Sequence, residues 1–410
     1  MQHLLSRLLQ HQHQRDLTER TLPRNDTLPA RPWVPGWYRV STTPSGTVRL
    51  DSLTRSFALD HVTPGLLQRL LPLLDGTRMI EDIRAQLDGH DAHPALVDDL
   101  LGALHTQGLL REGPPECTAL TAEEQRWWRP QADFFGHFSA ASDSAAPSRP
   151  DVPASGAHYQ ARLREAVVAV LGCGRLGSQV ARDLATSGVG ELVCVDDGPV
   201  AEEAARADAW YDLRHRGRSS AEVVCELIGQ TSPHCRAVPA GPGTWQDLLE
   251  RCDAVVLAGD VFQPTEHESV NRAVMASGTP WTSCRTVGLE VLIGPTVLPG
   301  RSACWTCFDD RRRSHLTRYE EAALVEHLWG EGAAQPFLAV VPGLSLVALE
   351  VVKLITGFAP ATTVDGLLAI DVLSSTTTLH PVLRVPRCRS CGLPSRDRPA
   401  LQVWDVEGVQ

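Results

Sequence analysis

The chain has 410 residues, a formal net charge of −11, 43% hydrophobic residues and 21% charged residues. These proportions suit a folded protein of two or three domains and exclude a disordered chain or a coiled coil. The acidic balance excludes a general nucleic-acid binder, and the lack of any apolar run of about 18 residues excludes a membrane helix.

The opening Met1-Gln2-His3-Leu4-Leu5 has no basic stretch leading into a long apolar one, so a cytoplasmic location is expected. Residues 1–30, rich in His, Gln and Arg, read as a flexible extension. Strand patterns follow over 33–40, over 47–50 behind the Pro44-Ser45-Gly46 turn signal, and over 55–60. Helical spacing then groups Leu66, Leu67, Leu70, Leu71 and Leu74 behind Thr63-Pro64. Met79, Ile80, Ile83 and Leu87 mark a second helix, and Leu96, Val97, Leu100, Leu101 and Leu104 a third. Residues 31–113 therefore describe a small α+β domain. Residues 114–162 read as linker, because 139–156 is dense in Ser, Ala, Pro and Gly. Trp127-Trp128 and Phe134-Phe135 within it are expected to pack onto a neighbouring domain.

From 163 to 410 the patterns alternate. Residues 166–171, 192–195 and 254–258 read as buried strands; 175–187, 220–229, 244–251 and 265–277 read as helices. This predicts a parallel, doubly wound α/β sheet of Rossmann type. A long apolar helix over 337–355 and a strand over 367–372 complete the chain.

Gly172-x-Gly174-x-x-Gly177 lies between a strand and a helix. There glycines permit a tight turn and let a phosphate approach a helix N-terminus. Asp196 ends the next strand, where such folds place a carboxylate on a ribose hydroxyl. The pattern speaks for the architecture more than for an occupied nucleotide site. Cys304-x-x-Cys307 and Cys388-x-x-Cys391, 80 residues apart, offer four thiolates to one tetrahedral zinc. A shell filled by thiolates is structural, not catalytic. Two unrelated reduced pairs, or redox CxxC motifs, are the other reading. There are eleven cysteines in all, and Cys173, Cys194 and Cys225 read as small buried hydrophobes in a reducing compartment. His61 and His105 fit no triad or HExxH spacing and read as surface or packing residues. Lys353 is the only lysine, so a site needing an ammonium has one source.

The segment 166–392 resembles the ThiF-like superfamily, related to ubiquitin-activating enzymes, through Gly172, Gly174, Gly177, Asp196, Asp260 and the two CxxC pairs. In that family the CxxC pairs bind zinc, and working members adenylate a carboxylate with ATP and Mg²⁺. Several positions depart from the pattern. Asp196-Asp197-Gly198 stands for the family's D-x-D, its arginine falls on Ala207 beside Arg206, and its ATP-contacting lysine falls on Ser220. No cysteine lies between Cys307 and Cys388, where sulfur-transferring members carry a nucleophile. The resemblance thus implies an adenylation fold that has lost adenylation: a degenerate nucleotide site with no ATP expected, beside a structural zinc.

The segment 33–111 resembles a PqqD-like RiPP recognition element, a winged-helix module, through Val48-Arg49-Leu50-Asp51, Ser56-Phe57-Ala58-Leu59-Asp60, Leu74-Asp75-Gly76-Thr77-Arg78 and Val97–Leu110. It implies that a leader peptide adds as a strand along Arg55, Ser56, Phe57, Ala58, Leu59 and Asp60 and lies beside the third helix, with Arg69 near acidic leader residues. Asp98-Asp99 on that helix argues against DNA. Together the two parts resemble the ocin-ThiF-like, or F-protein, family that partners azoline-forming cyclodehydratases. That implies a non-catalytic protein presenting a precursor peptide to a separate YcaO enzyme, which uses ATP to cyclise Cys, Ser or Thr. A homodimer is implied by the ThiF resemblance alone. Two alternatives stay open. One is an active adenylating enzyme using Asp260 for Mg²⁺ and Arg206, Arg214 or Arg216 for phosphates. The other is a nicotinamide-dependent oxidoreductase, against which the CxxC pairs and the lack of a tyrosine–lysine or histidine pair count.

Overall fold

The computed structural model describes residues 28–392 apart from 45, 54–55, 60–63, 88–93, 114–115, 140–154, 208–209, 261–262, 288–289, 317, 319–320, 322–323 and 325–336. Two contact units divide the chain: one takes residues up to 118 with 129–157, the other 119–128 with residues from 158 onward.

In the first unit, β2 (Arg39–Thr42), β3 (Val48–Asp51) and β4 (Ser56–Leu59) form an antiparallel sheet with β4 at one edge, while β1 (Pro32–Trp33) pairs with β5 (Arg111–Glu112). The register sets Val48 opposite Leu59 and Leu50 opposite Phe57, so these share one face. Val48, Leu50 and Leu59 are buried there with Leu67, Leu70, Ile83, Leu101 and Leu104. Those leucines and isoleucine come from helices Pro64–Leu70, Ile80–Leu87 and Pro94–Thr106, close to the predicted spans. Phe57 is half-buried, its ring meeting Tyr38 edge-on at 5.8 Å, and Ser56 and Ala58 face outward. The strand expected over 33–40 is instead two short ones, because buried Trp37 folds back against Trp33 at 5.8 Å. Ala30 is bonded to Glu112 at 2.8 Å, so the first residues described already belong to the fold and not to an extension.

The expected linker over 114–162 is corrected by three helices, Ala122–Trp127, Arg129–Gly136 and Gly156–Glu165. Thr121 and Glu124 form a reciprocal capping box that starts the first of these. Trp128 and Phe135 are buried, as their size demands.

The second unit is built on β6 (Val167–Leu171), β7 (Glu191–Val195), β8 (Arg236–Ala240), β9 (Ala254–Ala258), β10 (Trp281–Val287), β11 (Glu290–Ile293), β12 (Gly366–Asp371) and β13 (Thr376–Pro381). They lie in the order β13-β12-β11-β10-β9-β6-β7-β8. From β10 to β8 neighbours are parallel, and β11, β12 and β13 continue the sheet antiparallel. Every residue of β9 is buried, as expected of a parallel strand covered on both faces. Ala169, Leu171, Val193, Val195, Val255 and Leu257 pack with Trp245, Val270, Val274, Trp281 and Trp305 in a core that also contains the four paired cysteines. Strand order reverses between β6 and β9. The crevice beyond the carboxyl ends of such a pair is where open α/β sheets take ligands. Among the described residues no helix is long and apolar enough to cross a membrane.

Candidate functional site

The glycine motif occupies that switch point. Gly172 leaves β6 with φ +89°, and a Cβ there would lie 2.5 Å from the Ala258 carbonyl oxygen of β9. Only glycine turns there without strain. A Cβ on Gly174 would strike the Asp260 carboxylate, and one on Gly177 the Gly172 carbonyl. The glycines therefore let the N-terminus of helix Arg175–Thr186 settle on Asp260, just past β9.

Two carboxylates take the donors of this turn. The Arg175 and Leu176 amides donate to Asp260 Oδ2 and Oδ1 at 2.8 and 2.9 Å. The Cys173 and Gly198 amides donate to Asp196 Oδ2 and Oδ1, each at 2.7 Å. Buried Tyr211 donates its hydroxyl to the Cys173 carbonyl. Gly172, Gly174, Gly177, Asp196 and Asp260 thus converge on one turn. Asp196 braces the turn from just past the end of β7. Burial raises the Asp260 carboxyl above its usual range, and Asp196 adds to this; the two amides pull it back.

The arginines considered for phosphates in the adenylating alternative are exposed and paired with carboxylates. Arg206 and Arg216 meet Glu202 at 2.6 and 2.9 Å, and Arg214 meets Asp212 at 2.6 Å. Ser220 is buried at the start of helix Ser220–Thr231, its amide donating to the Gly198 carbonyl at 3.0 Å. Lys353 donates to Glu350 at 2.7 Å and to Thr362 at 3.1 Å. Buried Glu350 also accepts from the Thr363 amide and hydroxyl at 2.7 and 2.8 Å. The single lysine therefore braces helix Phe337–Thr356 against the loop before β12.

On the face of the sheet holding Trp281 and Trp305, Cys304, Cys307, Cys388 and Cys391 are buried with their sulfurs all within 4.8 Å of one another. Adjacent sulfurs lie 3.9 Å (304–307), 3.6 Å (304–388) and 3.4 Å (307–391) apart. Zinc–thiolate bonds of about 2.3 Å in a tetrahedron set edges of roughly 3.8 Å, so the cluster has the size of a zinc shell. The Val385 and Ser390 amides donate to Cys307 and Cys388 sulfurs at 3.3 and 3.4 Å, as suits metal-bound thiolates. Cys304 and the Val385 amide hold the Cys307 thiol down, to about 4, while the same contact pushes Cys304 up. The four residues could hold a zinc ion, which would cross-link two distant segments.

Beside this centre stands a cluster that sequence patterns missed. Buried His267 stacks on Trp305 at 4.2 Å, and burial first, then Arg285 and Arg312, press its pKa down to about 3. Arg285, itself buried, lies over the Trp305 ring at 5.5 Å. Asn271 accepts the Trp305 amide at 3.1 Å.

Of the expected peptide-binding residues, Ser56, Phe57, Ala58 and Leu59 form the edge strand β4, while Arg55 and Asp60 lie outside the described residues, as does His61. Exposed Arg69 donates to the Gly65 carbonyl at 3.2 Å. His105 sits half-buried near the end of helix Pro94–Thr106. All eleven cysteines are free; Cys173 and Cys194 are buried and Cys225 partly so.

A doubly wound sheet with a glycine turn at its switch point and a clamp of four cysteines defines a Rossmann-like nucleotide-fold protein with a metal-compatible centre. Residues 148–392 match the ThiF family, and the chain belongs to it. The pig adenylyltransferase and sulfurtransferase MOCS3 is 29% identical over 266 residues, 63% of this chain and 54% of that protein, so the chain spans about half its length. Protein HesA of Nostoc is 26% identical over 253 residues, 59% of this chain and 90% of HesA. The Escherichia coli sulfur carrier protein ThiS adenylyltransferase is 25% identical over 237 residues, 57% and 88% of the two chains. Among solved structures, the microcin C7 biosynthetic enzyme MccB in complex with N-formylated MccA superposes with a TM-score of 0.59 at 16% identity, over 88% of this chain and 99% of MccB. E. coli MccB has also been solved with ATP. PaaA superposes with a TM-score of 0.62 at 18% identity, over 85% and 99% of the two chains. These likenesses establish the fold, and their coverage extends beyond residues 148–392.

Proposed function

We propose that this chain is the non-catalytic, peptide-binding member of an azoline-forming pair. It captures the leader of a ribosomal precursor peptide and presents it to a separate YcaO cyclodehydratase, which cyclises Cys, Ser or Thr. The observation that carries this is the glycine turn: the Cys173, Arg175 and Leu176 amides already donate to Asp196 and Asp260. A triphosphate would have to displace two carboxylates and would meet Gly198 and Ser220 where working relatives carry charge. Transfer of a nucleotidyl group depends on that charge compensation.

Peptide capture is assigned to the PqqD-like first unit. Among the described residues β4 is a sheet edge, the place where a fourth strand could add, and Phe57 and Leu59 lie on its core side. The fold shared with MccB, a microcin C7 biosynthetic enzyme captured with N-formylated MccA, supports a peptide-modifying setting. A structural zinc, a homodimer and a cytoplasmic location belong to the same proposal.

The test is fluorescence polarisation of a labelled leader peptide, taken from any short Cys/Ser/Thr-rich precursor in the neighbouring genes, against the full chain and its Ala58→Pro variant. Proline removes an amide donor from the edge and distorts it. Binding should weaken by about tenfold or more, the scale of one or two lost hydrogen bonds. Hydrogen exchange should slow across Ser56–Leu59 when leader is added. Unchanged affinity and unchanged exchange there would place capture elsewhere.

An active adenylating enzyme is the second reading. It is favoured by the retention of Asp260 at the carboxyl end of β9 and by relatives that are themselves adenylyltransferases. In that case Asp260 would have to release the turn to bind Mg²⁺. Membership of the ThiF family lends nothing to the nicotinamide-dependent alternative.

A further inference from the structure

Positive charge gathers around the four-cysteine centre. Residues 299–318 and 382–392 hold eight arginines against two aspartates. Elsewhere the chain has 30 Lys+Arg against 47 Asp+Glu, a net −17. One zinc with four thiolates would offset only two of the lobe's positive charges. Six of these arginines fall into two sets; of the other two, Arg312 is half-buried and Arg318 pairs with Glu321 at 3.2 Å. Arg311 donates to the Leu383 carbonyl at 2.7 Å, and Arg384 to the Cys391 and Gly300 carbonyls at 2.7 and 3.3 Å, stitching the two segments together. Arg301, Arg313, Arg387 and Arg389 are exposed on the surface so formed. Arg313 pairs with buried Asp309 at 2.7 Å and lies 3.9 Å from Glu268, which Arg389 meets at 3.0 Å; Arg301 and Arg387 are the pair the test below reverses. Leu316 and Leu383, 38% and 62% exposed, stand within the same two segments.

We propose that this cysteine-clamped lobe is a docking surface for an acidic segment of a partner protein. Arginine forks match carboxylates in two-point geometry. The surrounding negative charge is screened beyond about 8 Å at physiological ionic strength, so attraction at the lobe acts locally. A nucleic acid fits less well. The chain's −17 elsewhere opposes a polyphosphate long enough to reach past the lobe, and the exposed leucines offer apolar anchors that a phosphate backbone cannot use. The surface needs the clamp, since Arg301 and Arg313 come from one segment and Arg387 and Arg389 from the other. Nothing in it depends on leader capture by the first unit, and failure of that reading leaves it standing.

The probe is a fluorescein-labelled peptide of Glu-Glu-Leu repeats, titrated against the full, metal-loaded chain at rising salt. Affinity should fall as salt rises and should drop by about tenfold or more in the Arg301→Glu/Arg387→Glu variant, the scale of losing rim charge pairs. Both positions are exposed, so metal content and melting temperature should match wild type. A chelator should abolish the binding. Equal binding of a Gln-Gln-Leu peptide, tighter binding of oligothymidylate, or an unaffected variant would each overturn the proposal. So would a wild-type chain that self-associates while the variant stays monomeric, because the occupant would then be a second copy.

Discussion

Replacing Asp260 probes how the turn is held. Its carboxylate accepts two amides, at 2.8 and 2.9 Å, at the start of a 12-residue helix. A negative charge at a helix N-terminus contributes about 0.3–1 kcal/mol, rising to about 2 where partly buried. A lost capping side chain costs about 0.5–2 kcal/mol. Burial opposes both by raising the Asp260 pKa, so part of the gain is returned as desolvation. Asp260→Asn keeps the shape and one acceptor oxygen and should cost about 1 kcal/mol at neutral pH. Asp260→Ala leaves two enclosed amides unbonded and should cost about 2–3 kcal/mol. The pH dependence follows from the raised folded pKa. Asp260's contribution is largest below the unfolded value of 3.8 and declines as pH rises through the folded value. The deficit of Asp260→Asn should therefore narrow between pH 4 and neutrality. Hydrogen exchange of helix Arg175–Thr186 under denaturant isolates this region from the rest of the chain. An alanine variant as protected as wild type would refute the cap, and a deficit that widens with pH would refute the raised carboxyl pKa.

Other outcomes follow from the same structure. Metal analysis should find about one zinc per chain, lost in Cys388→Ser with a lower melting temperature; metal-free wild type with four reactive thiols would exclude the clamp. His267 has its pKa lowered to about 3, so the unfolded chain binds a proton that the folded one refuses between there and 6.5. Wild type should lose about 1.4 kcal/mol per pH unit to this group as pH falls through that window, and His267→Phe should show a correspondingly shallower loss in denaturant titrations. Lys353→Met strips a buried carboxylate of its cation, a loss of about 3–5 kcal/mol. The Thr363 bonds that Glu350 keeps place the expected value at the low end, and Lys353→Met/Glu350→Gln should recover part of it.

The parallel core was readable because its strands are uninterrupted apolar runs: 166–171 and 254–258 each became a strand within a residue of the prediction. The glycine turn was readable because its spacing reports a backbone constraint. What the spacing could not report is the occupant of the donors, since Asp260 reaches them from 84 and 85 residues away. β10 escaped notice because Thr282, Ser283, Arg285 and Thr286 are polar yet buried, so hydropathy falls where burial is complete. β13 escaped for the opposite reason: all six residues are exposed at the sheet edge, with no buried face to impose alternation. The helices of 114–162 were hidden by the Ser/Pro-rich stretch beside them, although Thr121-x-x-Glu124 is a legible capping box. Paired CxxC spacing identified the four thiols, but not His267, Asn271 and Arg285 around them, which come from another helix and strand.

The central proposal is that this ThiF-family chain presents a peptide without adenylating it. Calorimetric titration of ATP with Mg²⁺ into the full chain, repeated with leader peptide present and paired with ATP–pyrophosphate exchange, tests it most directly. The account predicts no saturable heat and no exchange under either condition, because Asp196 and Asp260 accept the turn's amides and Ser220 stands at the lysine position of working relatives. Micromolar ATP affinity, together with exchange that disappears in Asp260→Ala, would contradict it and make the chain an adenylating enzyme.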